Sequence, residues 1–527
     1  MVRPNDGRPK FTLGIDVGGT NTDAVVMCGK DVIAAAKSFT TEDVRTGVIN
    51  AVASVLERAG HSPADIHAVM IGTTQFVNAF VQRRELTRVA VFRVSLPKAD
   101  GVPPLSGWPD ELIEAIRPDI YMVGGGSYYT GKEYAPLDED ALLAAAAQAQ
   151  AKGIRSVAIS ANFAPLRPDI ETRAEAIVRR AMPDASITLS AQVGGLGLID
   201  RENATVINAS LAELAVKVVR SLVRAFAELE IHAPLYISQN DGTLLTADVA
   251  QQFPILTCAA GPTNSLRGAA FLTGIEEAIV VDVGGTTSDV GFLVRGFPRE
   301  TTASNQIGGV RTNFRMPDVL SIGLGGGSLV RVADGGPLSV GPQSVGYRLR
   351  EEALVFGGKT LTATDIAVRA GQAQIGDSSR VADLSEQTVQ AALDVMHSML
   401  EEAIDQIKTN ARPMPLVLVG GGNILVSRPL DGVSELLRPR YAEVANAVGA
   451  AIAMVSGRVD RIYDVSKLGR DAALASAKAE AIEAAVAAGA QPGHVEILEI
   501  IELPLSYTRS GHVQIKVRAA GALASHI

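Results

Sequence analysis

The stretch "GIDVGGTNTD", residues 14–23, decides how this chain is read. β-Branched and apolar residues flank Asp16, and Gly18 and Gly19 follow. Thr20, Asn21, Thr22 and Asp23 then offer hydroxyl, amide and carboxylate groups. Phe11 to Val17 has the composition of a strand and Ala24 to Met27 that of another, so the simplest local structure is strand, glycine turn, strand. A glycine pair between strands allows φ > 0 and lets an anion approach the backbone with no Cβ in the way. Such a hairpin is either a plain tight turn or one jaw of a phosphate clamp. Only a second jaw elsewhere in the chain separates the two.

That second jaw is "VVDVGGTTSDVGFL", residues 280–293. "DVGGTNTD" and "DVGGTTSD" agree at every position except two adjacent ones. Asp282, Gly284, Gly285, Thr286, Thr287, Ser288 and Asp289 are thereby the counterparts of Asp16, Gly18, Gly19, Thr20, Asn21, Thr22 and Asp23. The separation far exceeds solenoid periods, which makes this an internal duplication. A third glycine turn, Gly420-Gly421-Gly422-Asn423, follows the apolar run "LVLV" at 416–419. The leading aspartates, Asp16 and Asp282, can orient Mg²⁺ mainly through its waters, because that ion keeps much of its hydration. They are the metal candidates and, with Asp289, the catalytic ones. Asp23 and Asp289 can orient the ion, an attacking group or only the hairpin. Two such hairpins facing each other would clamp a triphosphate, and positioning with charge neutralisation is most of what phosphoryl transfer requires.

A chain of 527 residues implies two or three domains. A charged fraction of only 20% leaves ample material for large cores. The net charge of -9 argues against nucleic acid as a partner. No basic block and no apolar run of spanning length points to a membrane. The first residues lack the apolar core of a signal peptide, and Cys28 and Cys258 sit singly in apolar stretches as reduced core thiols. A cytoplasmic location is expected.

Helix 44–59, strand 68–71, a turn entering a helix at "GTTQFVNAFVQRR", strand 89–94, helix 138–151 and strand 156–159 make residues 1–185 a βα-type first lobe. Prolines and glycines make 97–136 an irregular insert. One long helix, 203–229, is expected to cross into a second lobe, 186–465, which holds the second hairpin and the third glycine turn. A small-residue helix is expected over 441–454, and residues 466–527 form a helix-and-strand extension ending in two strands around Pro504.

Other patterns fall short. "FGGKTLT" at 356–362 ends like a P-loop but has Ala353 where the first glycine belongs, and "SIGLGGGSL" at 321–329 has Ser328 where a dinucleotide fingerprint needs its last glycine. His61 and His67 lack zinc-ligand spacing. Thr73, Thr74 and Asn78 either line a cleft or cap a helix. Arg83 and Arg84 fit a solvated face better than an anion site. Asn240 and Asp241 are equally well explained by a plain turn.

The paired Asp-x-Gly-Gly-Thr hairpins with a late triple-glycine turn resemble the actin, sugar kinase and Hsp70 ATPase superfamily. More closely, the chain resembles the A-type subunit of the hydantoinase/oxoprolinase family. Further stretches carrying the resemblance are "IGTTQFVNAFVQRR" at 71–84, "CAAGPTNSLRGA" at 258–269, "GGPLSVGPQSVGY" at 335–347 and "YAEVANAVGAA" at 441–451. It implies an α/β fold of two ribonuclease H-like lobes, with ATP and Mg²⁺ in the cleft between them. Asp16 to Asp23 and Asp282 to Asp289 would be the phosphate loops, and Gly420 to Asn423 would lie against the nucleoside. It implies ATP-dependent ring opening of a cyclic amide, begun by phosphorylating the carbonyl oxygen, or carboxylation of a related carbonyl. A B-type partner subunit and oligomeric assembly are also implied. Where the family commonly has Gly-Pro-Ala-Gly-Gly, this chain has Gly261-Pro262-Thr263-Asn264-Ser265, which leaves the substrate open. A small-molecule kinase and a non-catalytic ATP-binding subunit are the other readings of the same residues.

Overall fold

The computed structural model describes residues 10–39, 44–301, 305–331, 338–505 and 511–523. The polar leader at 1–9 and the beginning of the 335–347 stretch lie outside them. The first hairpin is strand β1 (Phe11–Val17), buried throughout, and strand β2 (Asn21–Cys28). Strand β3 (Asp31–Phe39) continues the meander and strand β4 (Ile66–Thr73) lies parallel to β1 on its other side. With Leu235–Ser238 beside β4, the order β3-β2-β1-β4-fifth strand is that of a ribonuclease H-like lobe. One face of β1 carries Phe11, Leu13, Ile15 and Val17 into the core, and on the other Gly14 lets a helix lie against the strand, since a Cβ there would overlap the Ala447 carbonyl.

The second lobe repeats this. Strand β5 (Ile279–Val283) pairs antiparallel with strand β6 (Ser288–Val294) and parallel with strand β7 (Met414–Val419), with Phe297–Pro298 and Val433–Leu437 at the ends. In both lobes the aspartates oppose each other in register, Asp16 with Asp23 and Asp282 with Asp289. Two helices join the lobes at the cleft: α1 (Ala260–Thr273) and α2 (Ala445–Ala451). They pack without side chains between them, for a Cβ on Gly268 would overlap the Ala445 carbonyl and one on Gly449 the Asn264 carbonyl.

The first sheet extends to nine strands through Thr243–Thr246, Met454–Asp464, His512–Leu523 and Ala490–Pro504. It therefore draws strands from each of the segments delimited at 185 and 465. The helix Arg470–Ala487 packs on these strands through Ala473, Ala477, Ala481 and Ala485, one small residue per turn. The small-residue helix expected over 441–454 is confined to α2, because Met454 already begins a strand.

Two other expectations change. The segment 97–136 is not simply irregular: it holds the helix Asp110–Ile116 and the strand Asp119–Gly124. That strand joins Val89–Leu96, Ser156–Ala161 and Ser186–Leu189 in a separate parallel sheet inserted into the first lobe. The long helix over 203–229 is two helices, Leu198–Ser210 and Ala212–Glu228, and does not cross to the second lobe. The first is pinned through polar groups, Glu202 accepting from Arg93 Nε at 2.8 Å and Ser160 Oγ at 2.6 Å. The second buries an apolar stripe of Leu214, Val218, Leu222 and Phe226 and leads back to Leu235–Ser238. Among the described residues no helix is long and apolar enough to cross a membrane.

Candidate active site between two glycine hairpins

The two hairpin tips meet. A Cβ on Gly285 would stand 2.8 Å from Thr20 Oγ1 and 3.2 Å from Thr20 Cβ, so the second tip must be glycine for the first to reach it. The turns match bond for bond, with Gly18 N donating to Asn21 O at 3.0 Å and Gly284 N to Thr287 O at 2.9 Å. The expectation that these glycines serve a positive φ is not met: none of Gly18, Gly19, Gly284 and Gly285 lies in the left-handed region. Their use is close approach. Gly18 and Gly284 leave a Cβ only 3.1 Å from a carbonyl oxygen, whereas Gly19 faces open space.

The third turn abuts the second hairpin. Gly420 has φ +83, and a Cβ on it would overlap Asp282 Oδ1. Gly422 N donates to Val283 O at 2.7 Å, and the Asn423 amide is spent on Gly420 O at 2.9 Å. "LGGGS" at 324–328, whose dinucleotide reading fails, proves to be a shelf behind the second tip. Gly326 N donates to Gly284 O at 3.0 Å and Gly327 N to Gly285 O at 2.7 Å. Ser288 donates to Leu324 O at 2.7 Å, so its hydroxyl anchors this shelf.

Four carboxylates thus gather at the joint of the lobes, held by donors from the helices shared between them. Asn446 Nδ2, on α2, donates to Asp16 Oδ2 at 3.1 Å and to Asp23 Oδ2 at 3.0 Å. Adjacent residues of α1 serve different lobes: Asn264 donates to Asp16 at 3.4 Å, and Ser265 to Asp282. Lys37 Nζ pairs with Asp23 Oδ1 at 2.7 Å, and Ser321 donates to Asp289.

Burial, and then the negative charge of Asp23, push the Asp16 carboxyl up to about 7. Burial also raises Asp282, with the Ser265 hydrogen bond and Lys37 opposing it. Asp289 rises to about 6, from burial first, with the charge of Asp282 adding. A cation added beside such carboxylates would favour their charged forms. Among the described residues no three His, Cys, Asp or Glu side chains converge on one metal position. Asp16 and Asp282 are the residues that would hold a hydrated Mg²⁺, an ion that keeps much of its own water. Thr22 Oγ1 and Asn264 Oδ1 are fully buried without a hydrogen-bond partner, and Thr22, on the core face of β2 opposite to Asp23, does not present its hydroxyl to the cleft, contrary to expectation. Thr20 and Gly421 stand at the same joint, beside Gly285 and Lys37 respectively, and Gly19, Asn21, Thr286 and Thr287 lie at the two hairpin tips.

The remaining candidates separate. Thr73 Oγ1 accepts from Gln75 N at 3.2 Å and Thr74 Oγ1 from Asn78 Nδ2 at 3.2 Å, so this trio organises the start of the helix Gln75–Val81. Arg83 pairs with Glu111 at 2.7 Å on the surface and Arg84 is exposed. Asn240 and Asp241 do more than turn the chain. Asn240 Oδ1 accepts from Ala259 N at 2.7 Å, beside the N-terminus of α1. Buried Asp241 meets Arg458 and Arg518, whose guanidinium groups hold its carboxyl well below the usual range despite burial. In "FGGKTLT", Thr362 caps the helix Ala363–Arg369 in a reciprocal bond with Asp365. Lys37 and Asn446 were missed by reading residues near the motifs. For Lys37 the two-residue connection Gly29-Lys30 alone would set Ala36 opposite Asp23; an irregularity between Val26 and Met27 shifts the register by one residue and brings Lys37 there instead.

Residues 12–182 match the family described as "Hydantoinase/oxoprolinase N-terminal region" and residues 201–375 that described as "Hydantoinase/oxoprolinase". The chain is 27% identical over 421 residues to the caprolactamase subunit alpha of Pseudomonas jessenii, covering 75% of this chain and 59% of that one. It is 25% identical over 395 residues to the acetophenone carboxylase gamma subunit of Aromatoleum aromaticum, covering 68% and 53%. It thus spans little more than half of either protein. Two solved structures share its fold at a TM-score of 0.72 each: nucleotide-free acetone carboxylase, 18% identical over 99% of this chain and 89% of that one, and the ATP-dependent caprolactamase from P. jessenii, 20% identical over 97% and 87%.

Proposed function

Because this chain belongs to the hydantoinase/oxoprolinase family, we propose that it phosphorylates the carbonyl oxygen of a cyclic amide with Mg²⁺-ATP. This is the activating half of an ATP-dependent ring opening. The observation that carries the reading is the tip-to-tip contact of Thr20 with Gly285, which puts two hairpins with register-paired carboxylates side by side at one joint. A single hairpin would be a turn; two in contact are a clamp. Bound Mg²⁺-ATP supplies the phosphoryl group, and a phosphorylated oxygen makes the ring carbonyl a better electrophile and later leaves as phosphate.

The chain's own residues have three tasks. The backbone of Gly19 to Asn21 and Gly285 to Thr287, with the hydroxyls of Thr20 and Thr286, would hold the phosphate chain from both lobes. Asp16 and Asp282 would fix the hydrated ion, their orientation set by Asn446, Asn264 and Ser265. Gly420 to Gly422, packed on Asp282 and Val283, would offer a side-chain-free wall to the nucleoside. Water attack on the activated carbon, with cleavage of the ring C–N bond, is assigned to a partner subunit, in keeping with the names of two relatives as subunits.

The test is ADP release by the purified chain with Mg²⁺-ATP across ε-caprolactam, hydantoin and 5-oxoproline. Stimulation by one ring, abolished in Asp16→Ala, supports the reading and identifies the ring. The relation to a carboxylase subunit makes ketone activation the second reading. Stimulation by acetone or acetophenone, and by none of the rings, would establish it instead. ATP binding without stimulation by any of these would point to a missing subunit or a non-catalytic role.

A further inference from the structure

Lys37 stands where the two lobes and the third glycine turn come together. It lies on β3, the edge strand of the nine-stranded sheet, directly opposite Asp23 in register. Its ammonium is 2.7 Å from Asp23 Oδ1, and its side chain keeps 32% of its exposure while Asp23 keeps 4%. Across the cleft, the position of a Cβ on Gly421 is 3.9 Å from Lys37 Nζ, so the triple-glycine turn of the second lobe presents bare backbone to the ammonium. The same charge is felt at Asp282. One lysine of the first lobe therefore faces both hairpins and the third turn.

A cleft lined by Asp16, Asp23, Asp282 and Asp289 repels a phosphate chain, and one divalent ion does not neutralise four carboxylates. Phosphoryl transfer also spreads negative charge over oxygens that need cations or donors nearby. Resting on the phosphate-clamp reading above, we propose that Lys37 is the phosphate-facing cation of the cleft. It leaves Asp23 in part to meet the phosphate chain between the first hairpin and the third turn. An ammonium is suited to this, being a compact point charge on a flexible stem. If Lys37 served only as the counter-ion of Asp23, its loss would weaken the hairpin and would not discriminate between ligands with and without phosphates.

The test compares Lys37→Met and Lys37→Arg with the wild-type chain, measuring calorimetric binding of ATP and of adenosine beside the melting temperature. Lys37→Met should bind ATP at least about 10-fold more weakly and adenosine within about twofold of wild type, and Lys37→Arg should recover most of the loss. Where turnover is measurable, Lys37→Met should lower kcat about 100-fold, the scale of losing one stabilising donor. Equal loss for ATP and adenosine, or ATP binding within about twofold of wild type, would overturn the proposal. A wild-type chain that binds adenosine but gains nothing from the phosphates would overturn the clamp itself, and this role with it.

Discussion

The two hairpins are nearly the same sequence and end in the same turn, yet they live in different surroundings. Around the first, Asp16 and Asp23 are almost fully buried, and both accept from the Asn446 amide. Around the second, Asp282 and Asp289 stay partly exposed and are met by one serine hydroxyl each, from Ser265 and Ser321. A duplicated motif therefore does not give duplicated chemistry. The first hairpin is the more desolvated, and its carboxylates accept from helices beyond their own hairpin. The second keeps more of its surface exposed. Low dielectric at the first makes each charge there count for more.

The largest expected effect tests whether the counterparts are unequal in function. Asp16→Ala should reduce ring-stimulated ADP release by at least about 1000-fold, and Asp289→Ala by about 10-fold, the difference reflecting how deeply each is enclosed. Equal losses would mean that the hairpins work as a symmetric pair and would break the comparison.

Next comes pH. The Asp16 carboxyl sits at about 7 in the folded chain against an ordinary 3.8. Between those values the folded chain holds a proton that the unfolded chain has released, so stability falls as pH rises. The destabilisation is complete above about pH 7 and absent below about pH 4. By linkage it amounts to about 4 kcal/mol. Urea unfolding without Mg²⁺ at pH 5 and pH 8 should show the fall, and Asp16→Asn should flatten it. Asp289→Asn should flatten it less, since Asp289 rises only to about 6. A slope unchanged in Asp16→Asn would assign the effect to other groups.

Support from the helices should differ in the same sense. Asn446→Ala takes a donor from two buried carboxylates, leaving Asp16 with Asn264 and Asp23 with Lys37, and should cost about 2–3 kcal/mol, whereas Ser321→Ala at a more open carboxylate should cost under about 1 kcal/mol. Smallest is the contrast between glycines at equivalent positions. Gly285→Ala pushes a methyl against Thr20 and should cost about 1–2 kcal/mol. Gly19→Ala meets open space and should stay within about 0.5 kcal/mol, read from melting temperatures. The reverse order would mean that the tips do not touch in solution.

Much of this molecule was legible from local pattern. The helix expected over 44–59 is found over Val44–Ala59, and both hairpins fall where their strands and glycines indicate, because periodicity and turn residues act over a few residues. The break at Leu211 was not legible, since the sequence around it keeps good helix formers. At that break Ser210 O accepts from Thr87 N, and the Asn208 amide is held by Thr188 and the Gln252 carbonyl, all distant in sequence.

By itself, then, the sequence determined that there are two matched Asp-Gly-Gly hairpins, a third glycine turn and an α/β chain around them. Only the tertiary structure decided that Thr20 touches Gly285, that strands from 454 onward complete the first sheet, and that Asn446 and Lys37 serve aspartates that opened the chain. The physical reason is range. Strand and turn preferences are settled by neighbours in sequence, whereas the burial that tunes Asp16, and the amide that compensates it, come from a helix some 430 residues away.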